Sequence, residues 1–272
     1  MTDAQVRLHL DKRAQGSVVT LEIDNSSRLN SLNTKLMEAF VAAANAVTRM
    51  DDVRAVIITG AGGKAFVGGA DISEMGDLRD EVSAREFIGR VHQCCHAVRA
   101  IPVPTIAKIN GYVFGAGLEL AAACDLRACS DTSVFGMPEV RLGIPSVVEA
   151  ALLPMLVGWG RTRWMLMLGD TFDASQAQSW GLVETVVAPG MLDQAVNQWV
   201  ESLFKCAPRA VMLQKQLIRS WEDLPLRAAI ATGIDTFGSA YATTEPRDAM
   251  QRFLESNAQR KREARSAAKE GG

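Results

Sequence analysis

Glu119 is the acid in this chain whose surroundings could do chemistry. It follows Asn110-Gly-Tyr-Val-Phe-Gly-Ala-Gly-Leu118, within the stretch Ile106 to Leu126. Thr105 to Ile109 is a short β-branched run that predicts a buried strand, and Asn110-Gly111 predicts a turn. Gly115-Ala116-Gly117 carries almost no side chain, so a ligand can approach the backbone, and a helix is predicted over 117–124. The first N–H groups of a helix lack intrahelical acceptors and lie at the positive end of its dipole. They therefore suit a carbonyl oxygen that is gaining charge. With Glu119 about one turn away, the segment could stabilise an oxyanion beside a base. From these residues alone, a tightly packed helix with a dipole-favoured glutamate is an equal alternative.

The elements that must position this segment follow from periodicity. Val18 to Ile23 alternates as a strand, Thr34 to Met50 is helical behind Asn33 as a cap, and Val53 to Thr59 is again a strand. Strand, helix and strand at this spacing predict a right-handed crossover and an α/β layer. The order then repeats: helix 83–100, strand 105–109, helix 117–124, strand 126–130 and a short strand over 133–136. This is a stacked, repeating ββα pattern. After Pro145 the chain is mostly helical, with helices predicted near 149–157, 161–168, 174–180, 191–206, 208–220, 225–240 and 246–262, interrupted by a strand over 182–187. A boundary near 190 therefore separates a mixed α/β core, 1–190, from a C-terminal helical region, 191–272, suited to packing on a neighbouring subunit. Lys261 to Gly272 is charged and small and should fray.

Composition excludes several functions. With 272 residues, 48% hydrophobic and 22% charged, the chain can bury a large core. Its 29 Lys and Arg against 31 Asp and Glu give a formal charge of −2, so there is no electrostatic case for nucleic acid or an anionic membrane. No apolar stretch approaches the ~20 residues of a membrane span, and no signal-peptide pattern opens the chain. A cytoplasmic protein with a small-molecule partner is expected. Cys94, Cys95, Cys124, Cys129 and Cys206 show no paired ligand spacing. His92 and His96 are spaced i, i+4, but Gln93 stands where a zinc protease has its glutamate, and the helix around them is ordinarily amphipathic. They are read as structural, and no metal is expected. Gly60-Ala-Gly-Gly-Lys-Ala65 matches the loose dinucleotide pattern without the long helix that pattern requires. Gly63-Lys64 lacks the rest of a P-loop, and no G-x-S-x-G elbow is present.

Three segments in order carry a resemblance. The 106–126 stretch, Lys64-Ala-Phe-Val-Gly-Gly-Ala-Asp-Ile-Ser-Glu-Met75 upstream and Phe135-Gly-Met-Pro-Glu-Val140 downstream together resemble the crotonase (enoyl-CoA hydratase/isomerase) family. The likeness runs from Val18 to about Arg252 and is supported by Arg28-Leu-Asn-Ser-Leu-Asn33, Leu168 to Ser175 and Trp180-Gly-Leu-Val183. It implies a crotonase-like repeated ββα spiral core with a C-terminal helical region, in an α/β fold. It also implies an oxyanion hole made by the N–H groups of Ala70 and Ala116, gripping a thioester carbonyl. Glu119 and Glu139 occupy the positions of the hydratases' two glutamates. Glu119 would act as base on water, and Glu139 would deliver the α-proton. Arg28, Ser31 and Lys64 lie where the family contacts the CoA nucleotide. Ala70, Asp71, Ile72 and Ser73 would line the pantetheine and thioester. The implied substrate is an acyl-CoA thioester, with CoA part of the substrate and no separate cofactor, and the implied assembly is a homotrimer or homohexamer.

Two departures stand out. The family's C-terminal Phe-x-x-Lys element reads Phe253-Leu-Glu-Ser256 here, and Lys261 is out of register to replace the lysine. Typical hydratases carry a glycine-rich stretch where this chain has Ser146-Val-Val-Glu149. That segment, Ser146 included, should reshape the acyl end of the pocket, with Glu149 either capping its own helix or adding a third acid. The functional expectation is a 2-enoyl-CoA hydratase. The alternatives are an enoyl-CoA isomerase, which needs only one carboxylate, and a non-catalytic acyl-CoA-binding member.

Overall fold

The computed structural model describes residues 4–270, with side chains through Arg260. The fraying expected over 261–272, and Lys261 itself, lie outside the described side chains. The chain runs β1 (Gln5–Arg13), β2 (Gly16–Asp24), α1 (Thr34–Val47), β3 (Val53–Gly60), β4 (Ala65–Val67), α2 (Ile72–Gly76), α3 (Glu81–Ala100), β5 (Thr105–Ile109), β6 (Tyr112–Phe114) and α4 (Ala116–Ala123). It continues through β7 (Leu126–Ser130), β8 (Val134–Gly136), α5 (Leu153–Leu168), β9 (Thr171–Asp173), α6 (Ala174–Ser179), β10 (Thr185–Val187), α7 (Leu192–Phe204), α8 (Pro208–Asp223), α9 (Leu226–Ala240) and α10 (Glu245–Glu270). Short 3-10 turns cover Glu139–Leu142 and Val148–Leu152.

The repeat is visible in the two sheets. One has the order β1-β2-β3-β5-β7-β10 and the other β4-β6-β8-β9. Each successive pair, β3 with β4, β5 with β6 and β7 with β8, gives one strand to each sheet, and neighbours within each series are parallel. The chain therefore climbs as a spiral of ββα turns. Side chains staple one corner of the spiral to the next. Asn110 Nδ2 donates to the carbonyls of Gly60 and Gly62 at 2.8 and 2.6 Å, and Ser133 Oγ donates to the Ile109 carbonyl at 3.3 Å. The Asn110-Gly111 turn thus fixes the stacking as well as the local reversal. Asn33 caps α1 as expected, accepting from the Leu36 N–H at 2.8 Å.

α4 sits at the centre of the spiral. Its Ala, Gly and Leu residues leave no polar face, and all eight of its residues are buried. Glu119 is the only charged one. At Gly117 an added Cβ would overlap the Val67 carbonyl of β4, so glycine lets this helix press against the small sheet. The helices expected at 149–157 and 161–168 appear as the 3-10 turn Val148–Leu152 followed by α5, which kinks where Gly158 takes φ +78° and ψ 159°.

The compact units divide between Leu203 and Phe204, not at 190. The reason is that α7 buries Leu192, Ala195, Val196 and Val200 and so joins the first unit. In the second unit α8 packs on α9, the Trp221 Nε1–H donates to the Ala229 carbonyl at 3.1 Å, and the Glu245 carboxylate accepts from the N–H groups of Arg209 and Ala210 at the start of α8. Among the described residues, no helix is long and apolar enough to cross a membrane.

Candidate active site

In the first unit a cleft of about 90 Å³ opens beside the N-terminus of α4. Gly68 to Ala70, Gly115, Ala116, Glu119, Glu139 and Ser146 supply its polar and backbone surface, and Ile72, Met75, Ile88, Phe114, Leu142, Ile144 and Val147 form its apolar walls. Ala70, Ile72, Ala116, Glu119, Glu139 and Ser146, distant in sequence, are thus brought to one place.

Two backbone N–H groups have reason to face this cleft. The Leu32 N–H donates to the Gly69 carbonyl at 2.8 Å, and the Leu32 carbonyl accepts from the Asp71 N–H at 2.9 Å. This parallel bridge uses the groups flanking Ala70, which leaves the N–H of Ala70 on the opposite edge. Ala116 opens α4, where the first N–H groups have no intrahelical acceptor. The backbone before it is pinned: the Gly115 N–H donates to the Gly136 carbonyl at 3.0 Å, and the Gly115 carbonyl accepts from the N–H groups of Leu118 and Glu119.

The carboxylates differ in environment. Glu119 is 3% exposed and accepts one long bond, 3.3 Å, from the Ala150 N–H. Burial pushes its pKa up to about 8. The negative charges of Glu139 and Glu149 add to the rise, and the Ala150 bond opposes it. Glu139 is half-buried, and Ser146 Oγ donates to its Oε2 at 2.8 Å. Burial raises its pKa too, with its own backbone N–H and the Ser146 hydroxyl pulling the other way. Two carboxyls that both resist ionisation, in one cleft, are suited to share a proton. Gly115 makes room for this arrangement: its φ of +49° and ψ of −120° exclude ordinary side chains, and a Cβ there would overlap Glu139 Oε1.

Glu149 stands in the first turn of its own 3-10 segment, where the dipole favours an acid, but makes no side-chain cap bond there. Instead Glu149, 7% exposed, turns Oε1 to His92 Nδ1 of α3 at 2.8 Å. His92, expected to be a structural histidine, is this carboxylate's partner. Among the described residues, no group of three or more His, Cys, Asp or Glu is placed to hold a metal ion.

The remaining expected site residues stand outside the cleft lining. Asp71 caps α2, accepting from the N–H groups of Ser73 and Glu74 at 2.9 and 3.2 Å and from Arg28 Nη1 at 3.1 Å. Burial pushes the Asp71 carboxyl up, but these donors outweigh it and hold the group below its ordinary range. Asp71 therefore anchors the Ala70 backbone and holds Arg28. Ser73 and Lys64 are exposed, and Ser31 is half-buried with its N–H donating to the Arg28 carbonyl at 3.0 Å. Asn30 Nδ2 donates to the carbonyls of Ala61 and Ala65 at 3.0 and 2.8 Å, so the loops bearing Arg28, Ser31 and Lys64 adjoin one another. Sequence reasoning missed the walls formed by Ile88, Phe114, Leu142 and Ile144. They are ordinary apolar residues, and only the stacking of repeats makes them neighbours.

The chain matches the profile of the family described as Enoyl-CoA hydratase/isomerase over residues 13–262. It is 34% identical over 242 residues to the Short-chain-enoyl-CoA hydratase of Clostridium acetobutylicum, covering 89% of this chain and 92% of that one. It is also 34% identical to the Crotonyl-CoA hydratase of Syntrophomonas wolfei, over 88% of this chain and 92% of that one. Among solved structures, an enoyl-CoA hydratase from Bacillus anthracis superposes with a TM-score of 0.85 at 29% identity, covering 92% of this chain and 96% of that one.

Proposed function

Because this chain belongs to the enoyl-CoA hydratase/isomerase family, we propose that its cleft adds water across the double bond of a 2-enoyl-CoA thioester. The observation that supports this reading is that buried Glu119 and half-buried Glu139 line one cleft together with Ala70 and Ala116. A double-bond isomerase needs one proton-shuttling carboxylate. Hydration uses two.

The thioester oxygen sits between the two N–H groups. These donors are fixed before the substrate arrives, and such a donor contributes roughly 3 kcal/mol to stabilising the enolate-like charge. Water lies between the carboxyls. Glu119 takes a proton from it as its oxygen bonds to the β-carbon, and Glu139 gives its proton to the α-carbon, so one proton enters the pair as another leaves. Turnover therefore needs the singly protonated pair, in the form whose proton has passed from the strongly raised Glu119 to Glu139. CoA enters and leaves as part of the substrate, without a separate cofactor. Its nucleotide would meet Arg28, Ser31 and Lys64, and its pantetheine would pass Asp71, Ile72 and Ser73. The C-terminal unit serves self-association into a trimer or a pair of trimers, supported by the exposed Leu226, Ile230, Ile234 and Phe237 of α9.

The direct test follows the conjugated enoyl absorbance with crotonyl-CoA and longer analogues. Steady loss of absorbance is expected. Tight binding of every ester without any loss would instead leave a non-catalytic binding protein. The pH dependence has a worked sign. Both pKa values are raised, so the singly protonated pair occupies a window above the ordinary carboxylate range. kcat/KM should rise on the acid side as the pair loses its first proton and fall as pH passes about 8, where the second is lost. A rate profile flat from about pH 5 to 9.5 would contradict a shared proton.

A further inference from the structure

The segment Ser146 to Ala150 touches both carboxyls. Ser146 Oγ donates to Glu139, and the Ala150 N–H donates to Glu119. Between them Val148 takes φ +39°, a conformation that a β-branched residue adopts only when its surroundings impose it. Glu149, next along, is tied to His92 of α3 by one carboxylate oxygen. Its other oxygen, Oε2, is buried without a hydrogen-bond partner among the described residues. A buried carboxylate oxygen left unpaired is costly, and such groups persist where they serve function.

We propose that Glu149, held by His92, is a positioning residue that places a fixed negative charge behind Glu119 and pins the backbone from which Ser146 and Ala150 address the two catalytic carboxyls. The inference rests on the hydratase reading and deepens it. The ionisable groups facing Glu149 are few. α3 presents His92 together with the Cys94 and Cys95 thiols, which burial, with Glu149 adding, keeps raised and neutral. α4 presents Glu119, and across the cleft stands Glu139, whose charge acts on Glu119 as that of Glu149 does. His96 lies further along α3, its ring 5.8 Å from that of His92. The charge of Glu149 favours the protonated form of Glu119 and so keeps the pair singly protonated to higher pH.

Glu149→Gln keeps an oxygen for His92 and removes the charge. The alkaline limb of kcat/KM should then move to lower pH by roughly half a unit or more, with KM little changed. His92→Asn, which can present an N–H where Nδ1 lies, should keep the wild-type limb. His92→Phe, which leaves Glu149 without the donor that holds it behind Glu119, should move the limb as Glu149→Gln does. The same shift should appear, independently of turnover, in the titrating infrared band of the protonated Glu119 carboxyl, assigned by its loss in Glu119→Gln. A wild type without hydratase turnover overturns the functional reading. A limb and infrared midpoint both unmoved in Glu149→Gln and His92→Phe overturn the positioning role. So does a loss of kcat as deep as that of Glu119→Gln with the limb unmoved, since that marks a group acting on substrate directly. If Glu149→Gln does not fold, the two His92 variants decide.

Discussion

Glu119→Gln and Glu139→Gln are each expected to lower kcat by about 10²–10⁴-fold while leaving the affinity for a saturated acyl-CoA nearly unchanged. Each substitution keeps the shape of the carboxyl and removes one partner of the proton exchange. Because the two act as a unit, the double variant should be little slower than the worse single one. If kcat stays within a few-fold of wild type in either variant, that residue has no part in proton transfer. Glu119→Gln carries a second signature. A carboxyl whose folded pKa lies above its unfolded value disfavours folding once pH exceeds the unfolded value. Stability is therefore lost as pH rises from about 4.5 to about 8, and constant above that. The glutamine variant escapes this loss, so its Tm should match wild type near pH 5 and exceed it at pH 8, the mark of a group kept for activity at the expense of stability. Thermal unfolding at the two pH values reads the difference directly.

Much of this arrangement was legible in the residues. The Asn110-Gly turn, the helix start, expected at 117 and found at Ala116, and the cap at Asn33 all depend on local chemistry, and local chemistry is what a sequence records. The short strands β4 and β6, of three residues each, are too brief for periodicity to declare, whereas β8 falls within the short strand expected over 133–136. β1 was missed although Val6, Leu8 and Leu10 alternate with Arg7, His9 and Asp11. It pairs antiparallel with β2 at the edge of the large sheet, and Arg7 pairs there with Glu22 and Asp24. The role of Glu149 could not be read locally. Its partner is 57 residues away, and nothing in Ser146-Val-Val-Glu149 indicates that the chain would turn its acid inward to α3. The cleft walls are opaque for the same reason, since register between repeats decides which apolar residues face an empty space.

Gly115→Ala should cost activity out of proportion to the single methyl it adds. Its backbone angles lie where residues with a Cβ are rarely found, a strain of about 1–3 kcal/mol. The new methyl would also overlap Glu139 Oε1, so the carboxyl must leave its place beside Ser146. The Gly115 carbonyl accepts from the N–H groups of Leu118 and Glu119, so relieving the strain moves the first turn of α4 and the N–H of Ala116 with it. A displacement near 1 Å costs about 10²-fold in rate when it misaligns a reacting group. The expected result is therefore a lower Tm together with a loss of kcat of that order or greater. Combining Gly115→Ala with Glu139→Gln separates the causes. If the methyl acts by displacing Glu139, the double variant should fall well short of the product of the single losses. Gly117→Ala, whose methyl meets the Val67 carbonyl instead, should lower stability first and activity only as α4 shifts. Gly89→Ala, in α3 with open space around the added Cβ, is the control and should be neutral or slightly stabilising. Wild-type kcat/KM and Tm in Gly115→Ala would mean that the cleft does not depend on this turn, and the placing of Glu139 beside the start of α4 would have to be abandoned.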